Sequence, residues 1–152
     1  MKHKETAMSY FKQGFNCAQA VVMAFSDVTG LSEGEGARIA SSFGGGLGRM
    51  REVCGTVSGM AIVAGILYGY EDTDPAAKQA HYALVQKLAG KFREQNGSII
   101  CRELLGDRSA ITSAPEARTA EYYKKRPCVE LVGMAADILD EEIEARNDSL
   151  KA

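Results

Sequence analysis

CGTVSGMAIVAGILYGY, residues 54–70, is the stretch whose reading decides the fold. None of its residues is charged, and its apolar positions circle a helix instead of marking one stripe. That is the pattern of a helix buried on all sides. Gly55 and Gly59, then Gly65 and Gly69, stand four apart. On a helix each pair shares a face, and without side chains it lets neighbouring backbones approach. The apolar run, Val57 to Tyr70, is shorter than the ~20 residues that cross a bilayer. The expectation is a buried central helix without membrane insertion.

Outward from this helix the periodicity stays helical, and alternating strand patterns are missing. A first helix is expected from Lys4 to Gln13, stopped by Gly14. A second runs from Cys17 to Thr29 behind the N-cap Asn16, and a third from Glu33 to Phe43 behind Ser32, with Glu35 at the capping-box position. Beyond the central helix, Asp74-Pro75 opens a helix to Gln95, and Ser98 caps a short one carrying Cys101. A helical turn is expected within Pro115–Tyr123, then a last helix from Pro127-Cys128 to Ala145 with a frayed tail over 146–152. The prediction is a single all-α domain, 1–152, with six to seven helices around the glycine-rich one.

Composition supports a globular chain: 152 residues, 45% hydrophobic and 25% charged. A net charge of −2 excludes the basic face of a nucleic-acid binder, and the run Lys124-Lys125-Arg126 is too short to reverse that. No signal peptide is visible, so the expected location is cytoplasmic. There, cysteines serve catalysis, redox sensing or metal binding more often than structural disulfides.

Cys17, Cys54, Cys101 and Cys128 each fall in the first turn of a different expected helix. The positive end of a helix favours thiolate over thiol. Asn16, Arg49, Arg51, Arg102 and Arg126 flank them and act in the same direction. With no Cys-x-x-Cys pair, any joint site must be assembled by the fold. The plainer reading is four small buried hydrophobes. The segment Gly44-Gly45-Gly46-Leu47-Gly48-Arg49 also carries two readings. Gly44, Gly45, Gly46 and Arg49 could cradle an anionic cofactor with backbone N–H groups. Alternatively the glycines stop one helix and turn the chain tightly toward Cys54, the use glycine more often has. His81 lies on an apolar stripe, as a core histidine or as a base beside the thiols, and His3 is expected in solvent.

The chain resembles a family of redox-active proteins named for its Cys, Cys-Gly-Ala-x-x-Gly, Cys, Cys pattern. The matching residues are Cys17 in FNCAQA (15–20), CGTVSG (54–59), Cys101 in NGSIICRELLG (96–106) and Cys128. FGGGLGRM (43–50) also looks like the family's glycine segment, and the likeness runs from about Gly14 to Glu141. Thr56 stands where the family pattern has Ala. The resemblance implies redox activity and supplies no substrate.

The leading expectation is thiol–disulfide exchange or electron transfer with a redox partner protein, a small thiol or an oxidant. Cys54 attacks, because its flanking glycines leave room, and a second cysteine resolves the mixed disulfide. No cofactor is then needed. The alternative is zinc or an iron–sulfur cluster on the thiolates of Cys17, Cys54, Cys101 and Cys128. A third option is a non-enzymatic subunit that only packs its cysteines. An oligomer is compatible with all three.

Overall fold

The computed structural model describes residues 2–151. Among them the helices are α1 (Lys4–Lys12), α2 (Cys17–Ala24), α3 (Ser26–Thr29), α4 (Glu33–Ala40), α5 (Gly55–Tyr68), α6 (Pro75–Asn96), α7 (Cys101–Leu105), α8 (Ala120–Lys125) and α9 (Cys128–Lys151). With α3, α7 and α8 only four to six residues long, the other helices form the bundle, and the chain is all-α as expected. One isolated antiparallel bridge, Val53 to Ile100, is the only β-pairing among the described residues.

The helix starts follow local chemistry. Asn16 accepts a hydrogen bond from the Gln19 N–H at 2.9 Å while its own N–H donates to Gln19 Oε1 at 3.0 Å, a complete capping box for α2. Ser32 and Glu35 do the same for α4. Asp74 caps α6 ahead of Pro75. Several boundaries differ from expectation: α4 stops at Ala40, where a 3-10 turn over Ser41–Phe43 takes over the end of the expected helix, and the turn expected within Pro115–Tyr123 forms at Ala120–Lys125. Helix 17–29 breaks at Phe25, whose ring is fully buried and stacks on His3 with centroids 4.1 Å apart. Ser98 lies two residues before the cap Ile100 and accepts from its N–H at 2.9 Å. The last helix continues to Lys151, where Ala145 had been its expected end. Arg146 bonds back to Glu142 at 2.8 Å, one turn earlier.

α2 is the helix at the centre. It packs against α1, α4, α5 and α9, and Gln19 is its only residue that is not buried. α5, the expected central helix, is buried mainly in its first half, where Gly55, Thr56, Val57, Gly59 and Met60 pack inward. Ile66, near its end, is 39% exposed. Only two of its glycines mediate close approach. A Cβ on Gly59 would come 3.0 Å from Val21 Cβ, and one on Gly55 would come 2.6 Å from both Cys17 Sγ and the Phe43 carbonyl oxygen. Gly65 faces open space, and Gly69 meets only the carbonyl end of its own helix.

His3 is buried, contrary to its expected solvation. Its Nδ1 lies 2.5 Å from Asp140 Oδ1 and its Nε2 2.9 Å from Asp27 Oδ1. The start of α1 is thereby tied to α9 and α3.

The glycines of α5 therefore predict opposite outcomes. Gly65→Ala adds a methyl to open space and gains helix propensity, raising stability by roughly 0.5–1 kcal/mol. Gly55→Ala drives the same methyl into a backbone oxygen and lowers stability by about 1–3 kcal/mol. Urea unfolding of the two variants checks this, and equal effects would show that α5 does not seat on α2 as described.

Candidate functional site: a cavity lined by four thiols

The glycine loop is built for close packing. Gly45, Gly46 and Gly48 have φ of 66°, 74° and 54°, and the left-handed region also holds Leu47, Arg49 and Arg51 at 67°, 61° and 62°. Non-glycine residues enter that region at a cost of about 1–3 kcal/mol each, so the surroundings must hold them there. The N–H groups of Leu47, Gly48, Arg49, Arg51 and Glu52 donate to carbonyls of Phe43, Ser42, Gly44, Gly45 and Gly46 in turn. The loop thus closes on itself, and those N–H groups are not free to cradle an anion. A Cβ on Gly44 would meet the Asn16 side chain at 2.5 Å, and one on Gly46 would meet Cys101 Cβ at 2.7 Å. These contacts support the tight-turn reading of the loop.

Beyond the loop, the chain pairs with the segment before α7. The Cys54 N–H donates to the Ile99 carbonyl at 2.8 Å, the Cys101 N–H to Glu52 at 2.6 Å and the Arg102 N–H to Arg51 at 3.2 Å. In an antiparallel pair alternate residues share a face, so Cys54 and Cys101 leave the ladder on the same side. Cys17, Cys101 and Cys128 open α2, α7 and α9, and Cys54 is the N-cap of α5. Each thiol stands at a helix start, as the sequence predicts.

All four line one cavity of about 460 Å³. All four are free thiols. Gly44, Gly45 and Arg49 also line it, whereas Gly46 lies behind Cys101 and His81 is not part of the wall. The wall contains a feature that sequence reasoning did not assemble: Arg49, Arg51, Arg118 and Arg126, with Glu116 the only acidic residue among them. Arg49 Nη1 donates to the Thr112 carbonyl at 2.8 Å and to the Ala114 carbonyl. Arg51 Nε donates to the Ala110 carbonyl at 3.0 Å. Arg126 pairs with Glu116, and Arg118 reaches the Phe11 and Phe15 carbonyls at 2.9 and 3.1 Å. These bonds hold the irregular segment 109–119 across the cavity.

Electrostatics oppose the thiolate expectation. Burial pushes the Cys54 thiol far above its ordinary value, the neighbouring Cys17 adds to this, and the Thr56 hydroxyl and N–H act in the opposite sense. Burial and Cys17 push Cys128 up to about 12 against the pull of Arg126. Cys101 is also raised by burial, but Arg51 pulls it down from hydrogen-bond range, with Nη1 3.7 Å from Sγ. Cys17 contributes to raising all three.

Among the described residues no group of three or more His, Cys, Asp or Glu is placed to hold one ion. Nor is any described helix long and apolar enough to cross a membrane.

The chain belongs to the family described as "Putative redox-active protein (C_GCAxxG_C_C)", whose model matches residues 15–142. No curated protein and no solved structure matches it.

The thiol environment sets a pH profile. A thiol raised in the folded state keeps its proton after the unfolded chain has lost it. Its stabilising effect is present below the ordinary value of 9.0 and is lost as pH rises toward about 12 for Cys128. In native protein, iodoacetamide should label Cys54 and Cys128 slowly at pH 7–8, with rates climbing past pH 10, while denatured protein levels off near pH 9. Native labelling as fast as denatured labelling at pH 8 would show that burial does not control these thiols.

Proposed function

We propose that the protein moves electron pairs by thiol–disulfide exchange within this cavity, with Cys101 meeting the partner and Cys17 and Cys54 holding the resulting disulfide. The observation that carries the reading is that four free cysteines, remote in sequence, line a single cavity from four helix starts. Cys101 is assigned the first attack because Arg51 stands beside its sulfur and favours the thiolate. This moves the first attack from Cys54, the thiol favoured by sequence, whose burial keeps it neutral. Cys54 keeps a place in the couple, because Cys17 Sγ lies against the backbone of Gly55, the next residue.

The chemistry balances. The Cys101 thiolate attacks one sulfur of a partner disulfide, a Cys101–partner disulfide forms, and the other partner sulfur leaves as thiolate. Cys17, giving up its proton, attacks the Cys101 sulfur and releases the second partner thiolate. Cys54 then attacks Cys17 and regenerates the Cys101 thiolate. Two protein thiols are oxidised, one partner disulfide is reduced, and their two protons go to the released thiolates. Cys128 supplies a further thiol next to Cys17. The partner is a disulfide protein or a small disulfide, the domain acts as one unit over 1–152, and no bound cofactor is required.

Oxidised glutathione offered to the reduced protein should remove two thiols per chain, restored by dithiothreitol. Peptide mapping should find Cys17 joined to Cys54, and Cys17→Ser should instead trap glutathione on Cys101. A full complement of free thiols after prolonged exposure, or trapping confined to Cys128, would overturn the reading.

A further inference from the structure

We infer that the thiol cavity binds the oxyanion group of a small molecule, a carboxylate, sulfate or phosphate, at the guanidinium of Arg51. The assignment does not depend on the thiol chemistry, because the binding atoms are nitrogens.

Arg51 is 3% exposed and lines the cavity. Its Nε and Nη1 have partners, but its buried Nη2 has no hydrogen-bond partner among the described residues. A buried cation with unfilled donors is unfavourable unless an acceptor completes it. The surroundings do not supply one. Glu116 is the only acidic residue in the wall, and it already pairs with Arg126 and stands 3.7 Å from Arg49. Three positive charges are thus left over on the wall of a chain whose net charge is −2. Repulsion from Arg51 contributes to lowering both Arg49 and Arg126, after burial.

Three helices of at least eight residues, α2, α5 and α9, also start at this wall, where Cys17, Cys54 and Cys128 line the cavity. The guanidinium fork suits a planar or tetrahedral oxyanion. About 460 Å³ is room for a small molecule.

The test uses the reduced full-length protein, titrated at constant ionic strength with sodium sulfate, phosphate and acetate against chloride. An oxyanion should raise the melting temperature saturably and shift the backbone amides of Arg51 and Cys101 in ¹⁵N spectra. It should also slow iodoacetamide labelling of Cys101. Arg51→Met should weaken the binding on the order of tenfold, while Arg102→Met, outside the wall and paired with Glu52, leaves it unchanged. Saturation by sulfate or phosphate points to a free inorganic oxyanion, and saturation by acetate alone points to an organic acid. Effects no greater than chloride, or equal effects in Arg51→Met, overturn the proposal. If Arg51→Met does not fold, the wild-type spectra decide: shifts that avoid residues 49–54 and 101 overturn it as well. Failure of this test would leave the disulfide mapping of the thiols untouched, and the reverse also holds.

Discussion

The site depends on a backbone pairing three residues long. Residues 52–54 and 99–101 are otherwise unrelated segments of a helical chain, joined by the Cys54–Ile99 and Cys101–Glu52 hydrogen bonds. That clamp sets Cys54 and Cys101 on one face and fixes Arg51 just before it. It also fixes where α5 begins, so that Gly55 meets Cys17 Sγ across the helix interface. Gly46 fills the remaining space behind Cys101, where no Cβ would fit. Three of the four thiols thus owe their proximity to two short hydrogen bonds and two glycines. The fourth, Cys128, arrives at the start of the longest helix, immediately after Arg126-Pro127.

Helix starts and burial act on these sulfurs in opposite directions, and magnitude decides between them. The positive end of a helix is worth roughly 0.3–2 kcal/mol to a nearby anion. The rise of Cys128 from 9.0 to about 12 corresponds to something on the order of 4 kcal/mol in the other direction. At Cys54 and Cys128 burial outweighs the helix start and favours the protonated thiol. The exception in kind is Cys101, where a guanidinium at hydrogen-bond range opposes the desolvation. Reactivity in such a cluster follows the neighbour of each sulfur more than its place on a helix.

Local rules were legible in the sequence, and long-range ones were not. Asn16, Ser32 and Asp74 cap their helices as read, because a cap involves residues three apart or fewer. The gathering of the cysteines was legible because all four share the same local placement. The arginines did not share one: Arg49 and Arg51 sit in a turn, Arg118 in an irregular segment and Arg126 before a helix. No periodicity connects them, so only the folded chain shows that they line one wall. His3 was misread for the same reason, since its partner Asp140 is 137 residues away. The glycines of α5 looked equivalent by spacing, yet Gly55 and Gly59 face α2 while Gly65 faces open space. Spacing defines a face, but it does not say what covers it.

Arg51 connects the two chemistries of the cavity. It stands in a left-handed conformation at φ 62°, buried, a combination that local preference opposes on both counts. The ladder to Arg102, the bond to Ala110 and the contact with Cys101 hold it there. The same guanidinium faces a sulfur with one nitrogen and presents another without a partner. An oxyanion on Nη2 would neutralise the charge that favours the Cys101 thiolate, so ligand occupancy and thiol ionisation oppose each other. By linkage the opposition is reciprocal: ionising Cys101 must weaken the anion by the same factor by which the anion suppresses ionisation.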